Sequence, residues 1–217
     1  MIKIFFFILL ETGVLHFCAN AQESGSDILK KIKRDSTDTW SFYAEADNYL
    51  FPSEPDILNL IAMADKDLWH LEARYNYESR NTASVFGGLN FSWGNRLKLE
   101  LTPIAGIVFG RLNGFAPGLE TFLLYKAFEF NSQTEWVFDF SGKEGNYIYT
   151  YVQLGANLSD QFGLGIAAQR TRLYQTDFDL QRGIFARYSF WKLSAEFTYF
   201  NPFSSSYFFV AMFSTDF

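Results

Sequence analysis

The chain holds a single cysteine, Cys18. No intramolecular disulfide can form, so an exported protein of this length must be stabilised by hydrogen bonding or by its surroundings rather than by covalent staples. Nor does Cys18 fit the acylated first residue of a lipoprotein, because Phe17 stands before it where a small residue is required. Basic excess is missing too: the net charge is -6 and the pI is near 5.0, which argues against a nucleic-acid partner. After residue 22 there is no long apolar run, since polar or charged residues interrupt every candidate, such as Ile57 to Asp65. A membrane-spanning form would therefore have to cross as strands. The sequence displays no metal constellation, phosphate loop, nucleophile elbow or CxxC pair, and no cofactor site.

What is present begins with an export signal. Lys3 precedes the apolar run Ile4 to Leu10, and Ala19-Asn20-Ala21 supplies small residues at the spacing a signal peptidase accepts. This predicts a signal peptide over residues 1–21 and a mature chain starting at Gln22. Glu11 ends the apolar run well short of the roughly 20 residues of a spanning helix, which disfavours an uncleaved anchor. Residues 22–39 are polar, with the basic cluster Lys30-Lys31-Ile32-Lys33-Arg34, and read as a periplasmic leader.

From Trp40 onward the pattern has period two, which sends alternate side chains to opposite faces of a sheet. In residues 69–78, Trp69, Leu71, Ala73, Tyr75 and Tyr77 form one face and His70, Glu72, Arg74, Asn76 and Glu78 the other. Aromatics recur near strand ends, at Trp40, Phe42, Trp69, Phe91, Trp93, Trp136, Phe190 and Trp191, as in the interfacial girdles of membrane barrels. The runs are also long, near the 9–11 residues of a tilted membrane strand.

Turn signals divide this region into twelve strands: 40–50, 56–64, 67–79, 83–93, 96–109, 118–130, 133–141, 147–158, 161–173, 182–190, 191–200 and 206–217. Tight connections are expected at Asp65-Lys66, Gly94-Asn95, Asn131-Ser132, Ser159-Asp160 and Phe190-Trp191. Longer loops are expected between them, including residues 110–117. Short turns alternating with longer loops is the rule for an all-β, antiparallel, up-and-down transmembrane β-barrel over residues 40–217. The run 56–64 alternates least well, and ten strands is the fallback.

At the C-terminus Tyr207, Phe209, Ala211, Phe213, Thr215 and Phe217 alternate. This resembles the C-terminal recognition strand of bacterial outer-membrane proteins, with Tyr207, Phe209, Phe213 and Phe217 as the assembly signal. Together with residues 69–78, it makes the chain similar to porin-like outer-membrane β-barrel proteins. The resemblance implies a bacterial outer-membrane location, contact with membrane lipid and lipopolysaccharide, and recognition by the barrel-assembly machinery. It carries no catalytic residues across.

On this register the lumen receives Glu45, Asp47, His70, Glu72, Arg74, Glu78, Arg96, Lys98, Glu100, Glu135, Asp139, Arg187, Lys192 and Glu196. Each charge can serve as half of a structural pair, because unpaired buried charge is costly. The acidic excess would favour cations in a passage. A passive narrow channel for small solutes or ions is the most economical expectation. The alternative is an accessory or structural subunit of a larger outer-membrane assembly, presenting residues 111–118 and 170–183 to a partner. A third reading takes its lead from twelve-stranded barrels resembling outer-membrane phospholipase and lipid A deacylase. It would need His70, the one histidine after cleavage, beside a serine or carboxylate.

Overall fold

A computed structural model describes residues 39–170 and 180–217. The expected signal peptide, all of the leader but Thr39, and residues 171–179 of the arginine-rich segment lie outside the described residues. Alternation of apolar and polar side chains yields strands β1 (Ser41–Leu50), β2 (Ile57–Lys66), β3 (Trp69–Tyr75), β4 (Thr82–Leu89), β5 (Phe91–Trp93), β6 (Leu97–Gly110) and β7 (Gly114–Tyr125). They continue as β8 (Phe128–Asp139), β9 (Tyr147–Asn157), β10 (Phe162–Arg170), β11 (Gln181–Phe190), β12 (Leu193–Phe200) and β13 (Phe208–Asp216). Consecutive strands pair antiparallel, except that β4 and β5 both pair with β6 rather than with each other. β4 and β5 are two pieces of one wall strand, since both pair with β6 in one register, Gly88 opposite Ile104 and Phe91 opposite Leu101. The wall therefore has twelve strands, and β2 is one of them, which removes the ten-strand fallback.

The sheet closes where β1 meets β13. Phe42 and Phe217 exchange two backbone hydrogen bonds of 3.0 Å, and their rings stack at 5.9 Å between centroids. Closure leaves no free edge, which is the condition for strands to stand in hydrocarbon. Outward positions carry Leu58, Leu71, Val85, Ile107, Leu154, Ile166, Ile184 and Phe197, all exposed. Among the described residues, the outward side chains on the strands are charged only at Lys66, Arg170 and Arg182, each at or beside a strand end. At the end of the barrel with the short connections, Trp69, Trp93, Phe128, Phe162, Tyr188 and Trp191 form an exposed aromatic ring.

The short connections are 67–68, 94–96, 126–127, 158–161 and 191–192. Three sequence expectations fail here. Asp65 and Lys66, expected as a turn, end β2, and the chain reverses at Asp67-Leu68. The turn placed at Asn131-Ser132 is mid-strand in β8, and the chain reverses instead at Lys126-Ala127. Residues 110–117 are not a long loop, for β7 begins at Gly114 and the connection is 111–113. Pro117 lies within β7, where the β7–β8 ladder skips from Phe115 opposite Phe138 to Gly118 opposite Glu135. A proline has no N–H to donate, so it reads as a breaker although the strand runs through it. Hairpin closure also overrides turn chemistry: Asp67, Lys126 and Trp191 adopt φ of 50°, 54° and 55°, a region that glycine and asparagine enter more easily.

Candidate functional site

The inward side chains divide the lumen into two halves. Toward the end with the longer connections it is filled by two apolar clusters. One contains Tyr77, Phe86, Ile104, Val108, Val137, Tyr147 and Tyr149, the other Tyr49, Ile57, Phe185, Phe200, Phe208 and Val210, and Tyr151 packs against both. Toward the short-turn end a cavity of about 620 Å³ opens, with Asp160, Trp191, Lys192 and Asp216 among the residues at its mouth and Tyr49, Tyr77, Tyr149 and Phe200 among those at its depth. The lumen is thus a vestibule with an aromatic floor.

The floor is tied across the barrel by polar bonds. Tyr149 donates to the Tyr77 hydroxyl at 2.9 Å, Tyr77 donates to Gln133 Oε1 at 2.5 Å, and Tyr147 donates to the Glu78 carbonyl at 2.5 Å. Next to them lies Arg74, whose side chain is fully buried. Its guanidinium stands 4.2 Å from the Phe86 ring centroid and 4.7 Å from that of Tyr77. It bonds Glu72 on its own strand and Glu135 across the lumen on β8, and approaches Glu120 at 3.4 Å and Glu78 at 3.6 Å. Phe86 fits there because Gly106 faces it on β6. A Cβ at position 106 would come within 2.4 Å of the ring, so the glycine makes room for the platform under Arg74.

A second charged group lies on the opposite wall. Arg187 on β11 bonds Glu129 on β8 and stands 3.7 Å from Glu196 on β12, and Glu196 also accepts from Gln153 at 2.5 Å. Four buried side-chain oxygens among the described residues, Asp47 Oδ1, Asn59 Oδ1, Glu78 Oε2 and Glu135 Oε2, have no hydrogen-bond partner, against one nitrogen, Arg187 Nε. The imbalance is of acceptors. Glu78 lies in the turn after β3, outside the spanning strands, and burial pushes its carboxyl up to about 7 in spite of Arg74.

The residues expected in the lumen fall in four places. Asp47, His70, Glu72, Arg74, Glu78, Glu135 and Glu196 are buried inside the barrel. Glu45, Glu100 and Arg187 line the vestibule, Lys98 shares the inward parity of Glu100, and Asp139 sits at the far rim, where it accepts from the Ser141 N–H. Arg96 and Lys192 belong to short turns and are exposed, with Lys192 at the mouth. Tyr207, Phe209, Phe213 and Phe217 lie along the outer face of the final strand and its approach. Sequence reasoning missed Glu120 and Glu129, because the misplaced turn at Asn131-Ser132 hid the alternation that carries Glu129, Asn131, Gln133 and Glu135 inward together. It also missed Asp65, which was assigned to a turn. His70, Glu72 and Glu120 present ligand atoms within 4.8 Å of one another, a grouping invisible in sequence because β7 supplies the third member.

No family model matches the chain, and no curated protein matches it. Solved structures do. The KdgM porin in complex with disordered oligogalacturonate aligns over 82% of this chain and 99% of that one, with 10% identity and a TM-score of 0.56. A second KdgM porin structure gives 82% and 98%, with 9% identity and a TM-score of 0.54. The likeness is one of fold: a closed antiparallel β-barrel. At this identity the likeness establishes the porin-like barrel and leaves the chemistry of the lumen to this chain's own residues.

Proposed function

We propose that the chain resides in a bacterial outer membrane as a narrow porin-like channel for small solutes and ions, with a preference for cations. The observation that carries this reading is the acidic vestibule, where Glu45, Asp47, Asp65, Glu100, Glu120, Glu129 and Glu196 face His70 and Arg187. Carboxylates in excess around a narrow cavity with low-dielectric walls raise the local cation concentration and repel anions. One similar barrel is described in complex with oligogalacturonate, an acidic sugar chain. Such a cargo is disfavoured by the charge here. The exposed apolar wall and its aromatic ring support the membrane location.

Passage requires the floor around Tyr77, Tyr149 and Arg74 to part, so the expected conductance is small and intermittent. Planar-bilayer recording of the purified barrel tests this. Cation-selective openings are the expected result, and the absence of conductance above background would sink the channel reading.

A second reading, an accessory subunit of an outer-membrane assembly, is favoured by the apolar packing that fills half of the lumen. Residues 114–118, expected in a partner-facing loop, are strand. Stoichiometric partners after gentle solubilisation would support it. A lipid hydrolase using His70 has carboxylates beside the imidazole, Asp65 and Glu72, but the ring is buried on the lumen side of the wall, away from lipid.

A further inference from the structure

His70 and Glu72 lie two residues apart on β3 and so share the inward face. Opposite His70 on β2 stands Asp65, whose Oδ1 lies 2.7 Å from His70 Nδ1. The same oxygen accepts from Asn90 Nδ2 at 2.7 Å, and Asn90 Oδ1 accepts from the Thr102 hydroxyl at 2.7 Å. This chain of bonds fixes the ring and makes Nδ1 the donor, which leaves Nε2 aimed at Glu72 Oε1 and, at 3.8 Å, Glu120 Oε2. Arg74 meanwhile engages the other oxygen of each carboxylate, Glu72 Oε2 and Glu120 Oε1. One nitrogen and two oxygens therefore converge on a single point, each held from behind.

We propose that His70 Nε2, Glu72 and Glu120 bind a divalent transition-metal ion in the lumen wall, with Asp65 orienting the imidazole. An imidazole and two carboxylates suit borderline ions of the zinc or manganese class, and a carboxylate behind the distal nitrogen is the usual support of a metal-bound histidine. Around a tetrahedral ion with bonds of about 2.0–2.2 Å the donors stand roughly 3.3–3.6 Å apart. Glu120 must close on His70 by a few tenths of an ångström, and Glu72 must draw back from it by roughly an ångström to admit the ion. Both are side-chain rotations. His70 and Glu120 border the vestibule, so an ion can enter from the short-turn mouth and keep a water as its fourth ligand. Charge favours it too. Asp65, Glu72, Glu78, Glu120 and Glu135 crowd around one arginine and one histidine, and Glu78 Oε2 and Glu135 Oε2 are buried without a partner. The proposal rests on the barrel alone and stands whether or not the lumen conducts.

The test is zinc and manganese titration of the folded, full-length barrel in detergent, with metal content measured after dialysis and a cobalt spectrum for coordination geometry. One equivalent of bound metal is expected, with affinity lowered at least tenfold by Glu120→Gln and lost in His70→Gln, while Glu144→Gln, an exposed control, changes nothing. Should the His70 variant fail to fold, Glu120→Gln decides, because that side chain is partly exposed and its loss leaves the Arg74 pairs with Glu72 and Glu135 in place. Absence of binding at millimolar metal by a barrel that keeps its folded electrophoretic mobility would overturn the proposal. So would binding that neither variant weakens.

Discussion

Arg74 is the residue on which the interior turns. It reaches Glu72 and Glu135 across the lumen while lying on the Phe86 and Tyr77 rings. Truncation leaves buried carboxylates without a counter-charge, so Arg74→Ala is expected to lower stability by about 3–5 kcal/mol, read by urea unfolding of the barrel in lipid vesicles. Glu78 sets a pH dependence. Its folded-state value stands near 7 against an ordinary 4.5, so the fold favours the protonated carboxyl. The stabilisation this supplies is complete below pH 4.5 and is lost as pH rises through about 7. Glu78→Gln mimics the protonated form. Its stability relative to the parent should therefore rise between pH 5 and pH 8, and a pH-independent difference would count against the assignment.

The strands obey one rule with few exceptions: odd or even positions face lipid, and the others face the lumen. Ile166 is mid-strand in β10, half exposed, and points outward. Ile166→Arg should cost about 2–4 kcal/mol, the penalty for a cation near the bilayer midplane, whereas Ile166→Leu should be close to neutral in the same folding assay. The errors in segmentation also belong to this scale. Turn-forming residues such as Asn131 and Ser132 were available in mid-strand, and Lys126-Ala127 turns with none of the usual chemistry because register and hairpin length demand it. Pro117 reads as a stop, and the ladder steps over it. The inward alternation that carries Asp47, Glu72, Arg74 and Glu196 needed only period two, so these were legible.

For the whole molecule, the decisive feature is that half of the lumen is filled and half is open. If the aromatic floor is the barrier, replacing Tyr149 by Ala should raise single-channel conductance several-fold, because it removes the ring that packs on Tyr77 at 5.1 Å and the hydroxyl bonded to it. An unchanged conductance would place the barrier elsewhere. Selectivity is a separate readout. Glu129→Gln and Glu196→Gln together should shift reversal potentials toward those of a non-selective pore without changing the apolar floor.

The sequence by itself determined an all-β wall of alternating strands and most of the side chains that face inward, because alternation is a local pattern repeated along the chain; the count of twelve and the closure of β1 on β13 are fixed by pairing between distant segments. It did not determine how the lumen is filled. Glu135 meets Arg74 across 61 positions of sequence, Glu120 reaches His70 from another wall strand, and Tyr77 meets Tyr149 across 72. Those meetings depend on register, on closure of the barrel and on which glycines leave space, and only the folded wall fixes all three at once.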